Sequence, residues 1–402
     1  MPKGKKLLFV HSGEKLKYDS SGRIYCDGSY PSDLWPRYRQ LADDITVIFR
    51  KDKETYTPEI AKKKFNVVPD DINVITTPDL NSGIKSYLSL QKRREIREII
   101  ETEIKKTDIL VARIPSDGAY IAIDLAKKYH KPYMVEVVGC PWDSLWNHSL
   151  KGKVLALPSM LRMKKYCKNA PYLVYVSSEF LQKRYPSKGI QTNCSNVILP
   201  EPKRSTLENR LKKIEQAKAP LKLGTLAAVD VAYKGQQYVI EALAKLKQQG
   251  QIYHYEIAGS GDQSRLKSLA EKLQVADQVK FLGSIPHAQV SAWLDSIDIY
   301  IQPSNQEGLC RSLIEAMSRA CPCVASDAGG DPELLDPAFI FKKKHVAQLI
   351  SELQSLATPS TMTAQARRNF SEAKKYTNDE ISKRRNKLYE KFKSDNKRTK
   401  TC

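Results

Sequence analysis

Short apolar runs and helix-period segments alternate along this chain, stop at a proline-bearing charged stretch, and then alternate again. No other feature constrains the fold as strongly. Residues 5–10, 45–49, 71–76, 108–112, 132–138 and 172–176 read as strands, with helices at 84–104, 118–129 and 180–185. Within 84–104, Tyr87, Leu88, Ile96, Ile99, Ile100 and Ile104 recur at helical spacing. Strands separated by helices over such distances predict a parallel α/β sheet. Residues 199–220 hold three prolines and a charged run, the mark of a linker. The alternation resumes with strands at 222–226, 253–258, 279–282, 297–301 and 323–326, and with helices at 236–247 and 263–273. The expected architecture is two Rossmann-like parallel-sheet domains, 1–200 and 221–375, joined by a linker at 201–220 and followed by a basic helix and tail at 376–402. Two such domains facing a cleft suit a nucleotide, because ligands of open α/β sheets sit outside the carboxyl ends of the strands.

Charge narrows the partners. Sixty-six Lys and Arg against 45 Asp and Glu leave a formal net charge of +21. An excess of that size calls for nucleic acid, an anionic membrane surface or phosphorylated small molecules. No segment approaches the roughly 18 apolar residues of a spanning helix, and the apolar run at 7–10 is too short for a signal peptide. A cytoplasmic protein is expected. The eight cysteines are then expected to be free. Cys321 and Cys323 flank Pro322 with no second close pair, which speaks against zinc.

The most informative stretch follows the strand at 297–301. It reads Pro303-Ser-Asn-Gln-Glu307-Gly-Leu-Cys-Arg-Ser-Leu-Ile-Glu315-Ala-Met317. Gly308 permits a close backbone approach. A helix starting near Leu309 or Cys310 turns its free N–H groups and the positive end of its dipole toward the loop, where an anion is favoured. At about 1.5 Å per helical residue the two glutamates lie on the order of 12 Å apart, wider than the roughly 5–9.5 Å of a glycosidase pair. That spacing suits an elongated ligand with hydroxyls at both ends and charge between them.

This stretch resembles the Glu-X7-Glu signature of the retaining, GT-B-fold glycosyltransferases of family 4. Its neighbours agree. Tyr255-Glu-Ile-Ala-Gly259-Ser-Gly261 resembles the family's strand and glycine turn, Val279-Lys-Phe-Leu-Gly283 its next strand, and Lys234-Gly235 its diphosphate-binding lysine. Cys321-Pro-Cys-Val-Ala-Ser-Asp327-Ala-Gly-Gly330-Asp-Pro-Glu333-Leu-Leu335 resembles the segment after the signature. The resemblance covers about 222–335. It implies an N-terminal acceptor-binding domain and a C-terminal nucleotide-sugar-binding domain. It implies transfer from a UDP- or GDP-linked sugar with retention of configuration and without a metal or other cofactor. Glu307 would accept hydrogen bonds from sugar hydroxyls, and the amides of Gly308, Leu309 and Cys310 would hold sugar and phosphate. Glu315 would take the ribose hydroxyls, Lys234 the departing diphosphate, and the backbone at Leu282 and Gly283 the base. A preorganised cation and a helix N-terminus help most where negative charge develops in the transition state.

Two positions depart from the family's pattern. Gly224-Thr225 stands where many members carry glycine and arginine, so Thr225 occupies a donor-site slot without a cation. Val137-Val-Gly139-Cys-Pro-Trp142-Asp143 has no histidine where many members have one, and no catalytic base is named. The resemblance implies a retaining transfer on one face, in which the donor phosphate would take the acceptor's proton.

On the acceptor side, Gly139, Trp142 and Asp143 follow one strand and Arg113 follows another. Gly28 and Ser29, next to Tyr30, lie in the loop after the first strand, which resembles the acceptor loop of polysaccharide-building members. The acceptor is expected to be a glycan or a lipid-linked molecule. Residues 154–168 mix Leu155, Leu157, Met160, Leu161 and Met163 with Arg162, Lys164, Lys165 and Lys168, the make-up of a basic helix lying on an anionic membrane. Peripheral attachment at the inner face of the membrane follows. Three other readings stand beside this one: a glucan synthase- or phosphorylase-like enzyme on the same fold, an inactive regulatory homologue suggested by Thr225, and a nucleic-acid binder. The last lacks a zinc finger and a basic sheet with interleaved aromatics.

Overall fold

A computed structural model of the chain describes residues 4–26, 30, 32–80 and 82–397. The acceptor-loop candidates Gly28 and Ser29 lie outside the described residues.

Two sheets form, one per half. The N-terminal sheet has nine strands: β1 (Lys6–Asp19), β2 (Ile24–Cys26), β3 (Asp44–Tyr56), β4 (Asn66–Val67), β5 (Ile72–Thr77), β6 (Ile109–Ile114), β7 (Tyr133–Val137), β8 (Tyr172–Tyr175) and β9 (Ile190–Asn193). Its parallel body runs β5-β3-β1-β6-β7-β8-β9, with β2 antiparallel on the far half of β1 and β4 on β2. The C-terminal sheet has six strands: β10 (Leu221–Leu226), β11 (Tyr253–Ala258), β12 (Val279–Gly283), β13 (Ile299–Gln302), β14 (Cys323–Ser326) and β15 (Ile340–Phe341). All its pairs are parallel, in the order β12-β11-β10-β13-β14-β15. Strand order therefore reverses between β1 and β6 in one half and between β10 and β13 in the other, the crevices where such sheets bind ligands.

The strands read so clearly because helices cover both faces. Every residue of β6 and β7 is buried, so the alternation of a half-exposed strand is absent and a continuous apolar run remains. The first strand is much longer than its apolar start, since its polar second half, at Lys15–Asp19, pairs with both β2 and β3.

The charged stretch read as a linker contains a helix, Arg204–Glu215, which packs on the helix Pro359–Ala373. Its Arg210 is buried and donates to the carbonyls of Leu294 (2.7 Å) and Ile297 (2.6 Å), at the end of the helix His287–Ser296. A guanidinium there satisfies carbonyls that the helix itself cannot and complements its negative end.

The last helix, Asn378–Asp395, returns to the N-terminal half. Ile381, Arg385, Leu388, Tyr389 and Phe392 fall on one buried face against β8 and β9, while its lysines face solvent. Phe392 meets Tyr172 edge to face, with ring centroids 5.0 Å apart. The chain thus crosses between the halves twice, and the crossings are tied together. The Asn378 amide donates to Leu199 O at 2.8 Å, and the Leu199 amide donates to Asn378 Oδ1 at 3.0 Å. The seven described cysteines are buried and unbridged. No helix of the described residues is long and apolar enough to cross a membrane.

Candidate donor site

Lys234 lies in the loop leaving β10, and Glu307 in the loop leaving β13. The strands are neighbours across the switch point, so the topology brings together two residues far apart in sequence. Lys234 Nζ lies 2.6 Å from Glu307 Oε1, with the side chains 21% and 12% exposed. Burial, the largest single influence, works against the charged lysine, but the charge of Glu307, its hydrogen bond and the nearby Cys310 and Tyr233 together outweigh it and raise the lysine's pKa. Ser304 Oγ (2.7 Å) and Gln302 Nε2 (3.3 Å) also donate to Glu307 Oε1. Gln302 and Ser304 are fully buried. Behind them, the Tyr300 hydroxyl bonds to Gln302 (2.8 Å) and Ser312 (2.9 Å). A buried network with its members paired fixes the carboxylate's position.

The signature helix is Arg311–Ser318, one residue after the later of the two expected starts, with Cys310 at its N-cap. Glu315 lies in its second turn. It is half-buried and accepts no hydrogen bond from any described residue. Burial raises its pKa, opposed by His287 and Arg311. A partly desolvated carboxylate with open acceptors suits a diol.

Two expected contacts need correction. Thr225 does not face a ligand. It is fully buried, donates to Ile301 O at 2.7 Å and accepts from the Tyr255 hydroxyl at 2.7 Å. The Cys310 amide already has an acceptor, Asp331 Oδ1 at 3.2 Å. Asp331 is fully buried, and burial together with the nearby charge of Glu307 holds its carboxyl well above the usual range. The amides of Gly308 and Leu309 donate to no other described group, so they are what the loop has to offer a ligand. Gly308 itself is pressed against protein: a Cβ there would lie 2.6 Å from Val138 O, across the cleft. Leu282 and Gly283 are the last two residues of β12, at the carboxyl end of that strand.

On the N-terminal side the candidates divide. Gly139 stands at the cleft, since its Cα is 3.5 Å from where a Gly308 Cβ would be. Trp142 stacks on Trp146 at 5.1 Å and 13°, and both belong to the helix Pro141–Trp146. Asp143 is buried and paired with Arg184 Nη1 at 2.8 Å, so it orders the loop. Arg113 is also removed from the acceptor list. It is buried and bound to Glu136, with Nη2 at 2.7 Å and Nε at 2.9 Å from Oε2.

Other contributors carried no sequence signal of their own. Glu333 reaches across to the N-terminal half, where its carboxylate accepts from the Ser178 amide (2.7 Å) and hydroxyl (2.6 Å) and from the Phe180 amide at the start of the helix Phe180–Arg184. Asn147 Nδ2 donates to Asn305 O at 3.4 Å, also between halves. Beside that contact lies a cavity of about 380 Å³, lined by Trp146, His148, Lys153, Tyr233, Tyr238 and other residues of both halves. Among the described residues no group of three His, Cys, Asp or Glu side chains is placed to hold a metal ion.

Two facing parallel-sheet domains, with a lysine–glutamate pair at the switch point of the second, define a GT-B glycosyltransferase. A family model described as glycosyl transferases group 1 matches residues 209–376. Protein CapJ of Staphylococcus aureus is 33% identical over 347 residues, 86% of this chain and 84% of its own length. The amylovoran biosynthesis glycosyltransferase AmsK of Erwinia amylovora is 35% identical over 133 residues, 31% of this chain and 32% of its own length. Among solved structures, sucrose-phosphate synthase from Thermosynechococcus elongatus superposes with a TM-score of 0.67 at 13% identity, covering 97% of this chain and 99% of that one. Alr3699/HepE of Anabaena, solved with UDP and glucose, gives 0.64 at 17% identity, covering 97% and 100%. The chain belongs to the group 1 glycosyl transferases.

Proposed function

We propose that the chain moves a sugar from a UDP- or GDP-linked donor to a glycan or lipid-linked acceptor, with retention of configuration and without a metal ion. The observation that carries this is the Lys234–Glu307 pair at 2.6 Å, set beside the open amides of Gly308 and Leu309 and the open carboxylate of Glu315. When a donor binds, its diphosphate replaces Glu307 as the counter-charge of Lys234. Glu307 is then free to accept hydroxyls of the sugar. As the glycosidic bond breaks, the diphosphate gains charge, and the lysine and loop amides stabilise it where it forms. The buried Thr225 adds no second cation, so Lys234 carries this task without the arginine common in family 4. The Anabaena protein that shares the fold was solved with UDP-glucose, which favours a UDP donor. Relatives named for amylovoran and colanic acid biosynthesis favour a polysaccharide acceptor.

Thermal stability across UDP, GDP, ADP and CMP, with EDTA present, tests the donor class. One nucleoside diphosphate at about a hundred times its dissociation constant should add about 2.7 kcal/mol to the wild type and much less to Glu315→Ala. Stabilisation by none of them would sink the donor reading and leave the inactive homologue.

Attachment to the inner face of an anionic membrane belongs to the same proposal. In the helix Leu150–Lys168, the buried side is Gly152, Ala156, Met163, Tyr166 and Cys167. The opposite side exposes Leu150 (79%), Val154 (76%), Leu157 (50%) and Leu161 (54%), spaced three or four residues apart. Lys153 and Lys164 flank that stripe on one side and Lys151 and Lys165 on the other, and the helix has no acidic residue. An apolar stripe facing water between lysines is the surface an anionic bilayer takes up. Wild-type protein should float with phosphatidylglycerol vesicles and not with phosphatidylcholine ones. Leu157→Ser with Leu161→Ser should stay at the bottom at unchanged Tm, because both side chains are exposed. Equal flotation of the double variant would refute this attachment.

A further inference from the structure

A second cavity, of about 320 Å³, lies outside the donor cleft, where the two chain crossings meet. Its walls are the segment around the short helix Pro36–Arg39, residues 195–198 just before the first crossing, and the first two turns of the helix Asn378–Asp395. Arg37, Gln40, Ser195, Asn196, Arg385 and Asn386 supply its polar lining.

The charges of this region do not balance. Arg385 is 6% exposed, yet it makes no hydrogen bond or ion pair with any described residue, and its Nε is buried without an acceptor. Arg37 is nearly as buried. It reaches Tyr38 Oη (2.8 Å) and Asn196 Oδ1 (3.3 Å), and its Nη2 is 3.8 Å from Glu136 Oε2, while its Nε also lacks an acceptor. Glu136 is already taken by Arg113 at 2.7 Å and by the Tyr38 hydroxyl at 2.8 Å. Among the described residues, two guanidinium groups therefore line one cavity, and the carboxylate near them, Glu136, bonds closely to Arg113 and Tyr38 and pairs with Arg37 only at 3.8 Å. A buried charge without a partner is costly, and an apolar side chain would pack there at less cost. Arginine's planar fork matches phosphate. The neutral Ser195, Asn196, Gln40 and Asn386 side chains match hydroxyls, and the volume is that of a small-molecule site.

We propose that this cavity binds a small phosphorylated polyhydroxy compound, such as a sugar monophosphate, with Arg385 and Arg37 holding the phosphate. The site is separate from the donor cleft and does not depend on the donor reading. Because both crossings border it, its ligand sits between the helix returning from the C-terminal half and the N-terminal half.

Calorimetric titration of the full chain with glucose 6-phosphate, inorganic phosphate and glucose tests this. Glucose 6-phosphate should bind more tightly than inorganic phosphate, and glucose should give no heat. Arg385→Gln should weaken the sugar phosphate about tenfold or more, the scale of a lost hydrogen bond to a charged group. Asn386→Phe, which fills the cavity from one wall and breaks no hydrogen bond among the described residues, should abolish it even if Arg385→Gln folds poorly. Lys234→Ala, altered only in the donor cleft, should bind as the wild type does. Three results would each overturn the proposal: no heat with either phosphate, unchanged affinity in Asn386→Phe, or loss of binding in Lys234→Ala alone.

Discussion

Lys234→Ala should keep its fold and lose about 100- to 1000-fold in kcat, the scale of removing one preorganised group that stabilises developing charge. The size follows from the surroundings of the lysine. It is the cation bonded to Glu307, and the buried Thr225 brings no other to the neighbouring strand end. Most of the loss should fall on kcat rather than KM, because the diphosphate gains charge as the bond breaks. Lys234→Arg should recover part of the rate. The stability cost is smaller. Glu307 would keep its bonds to Ser304 and Gln302, and both partners of the lost pair retain some solvent, so about 1–2 kcal/mol is expected rather than the 3–5 of a fully buried pair. Steady-state kinetics with a competent donor, read beside a melting curve, separates the two effects. A fall in kcat below tenfold would show that Lys234 does not meet the leaving group.

Gly235→Ala should be the most damaging single-methyl change near the site. Gly235 has φ 78°, in the left-handed region that an L side chain resists, and a Cβ there would sit 1.8 Å from the carbonyl oxygen of Pro303. Backbone on both sides must give. One side carries Lys234 and opens the helix Gln236–Gln248, and the other leads to Ser304 and Glu307. Gly250→Ala is the control. Its φ is 74°, nearly the same, but nothing lies within 4 Å of its Cβ. Both variants bear the left-handed cost of about 1–2 kcal/mol; only Gly235→Ala adds the collision. The Tm of Gly235→Ala should fall several degrees further, and its donor binding should weaken while that of Gly250→Ala does not. Equal Tm and equal binding in the two would mean that the 303–307 loop yields freely and does not hold Glu307.

Much of this was legible in the sequence, for physical reasons that also mark where legibility ends. Strands such as β6 and β7 stand out because both faces are covered and the apolar run is unbroken. The chemistry of Glu307 and Glu315 stands out because one short segment carries both, and Lys234 because glycine and a helix follow it. What the sequence did not disclose depends on partners distant along the chain. Arg113 reads as a cleft residue until Glu136, on the next strand, is seen to hold it. Thr225 sits in a ligand slot by motif, but Tyr255 and Ile301 claim its hydroxyl. Glu333 belongs to a matching segment, yet nothing local says that it caps a helix of the other domain. The 204–215 helix looked like a linker because its surface is charged and its buried Arg210 finds its acceptors far along the chain, on the carbonyls of Leu294, Ile297 and Arg319. The last helix reads only as basic because apolar residues at three- and four-residue spacing are diluted by lysines. The outward leucines of 150–168 could be named as amphipathic, but only the fold shows that the small residues face inward and the leucines outward.

Donor turnover in EDTA tests the central claim most directly. Wild-type protein would be incubated with UDP- and GDP-linked sugars, with nucleotide release followed and the anomer of the first sugar released read by NMR. The account requires that one donor be consumed without added metal, that the released sugar keep the donor's anomeric configuration, and that Lys234→Ala slow the reaction about 100-fold or more. Release of the inverted anomer, turnover that appears only when a divalent cation is restored, or an equal rate in Lys234→Ala would contradict it.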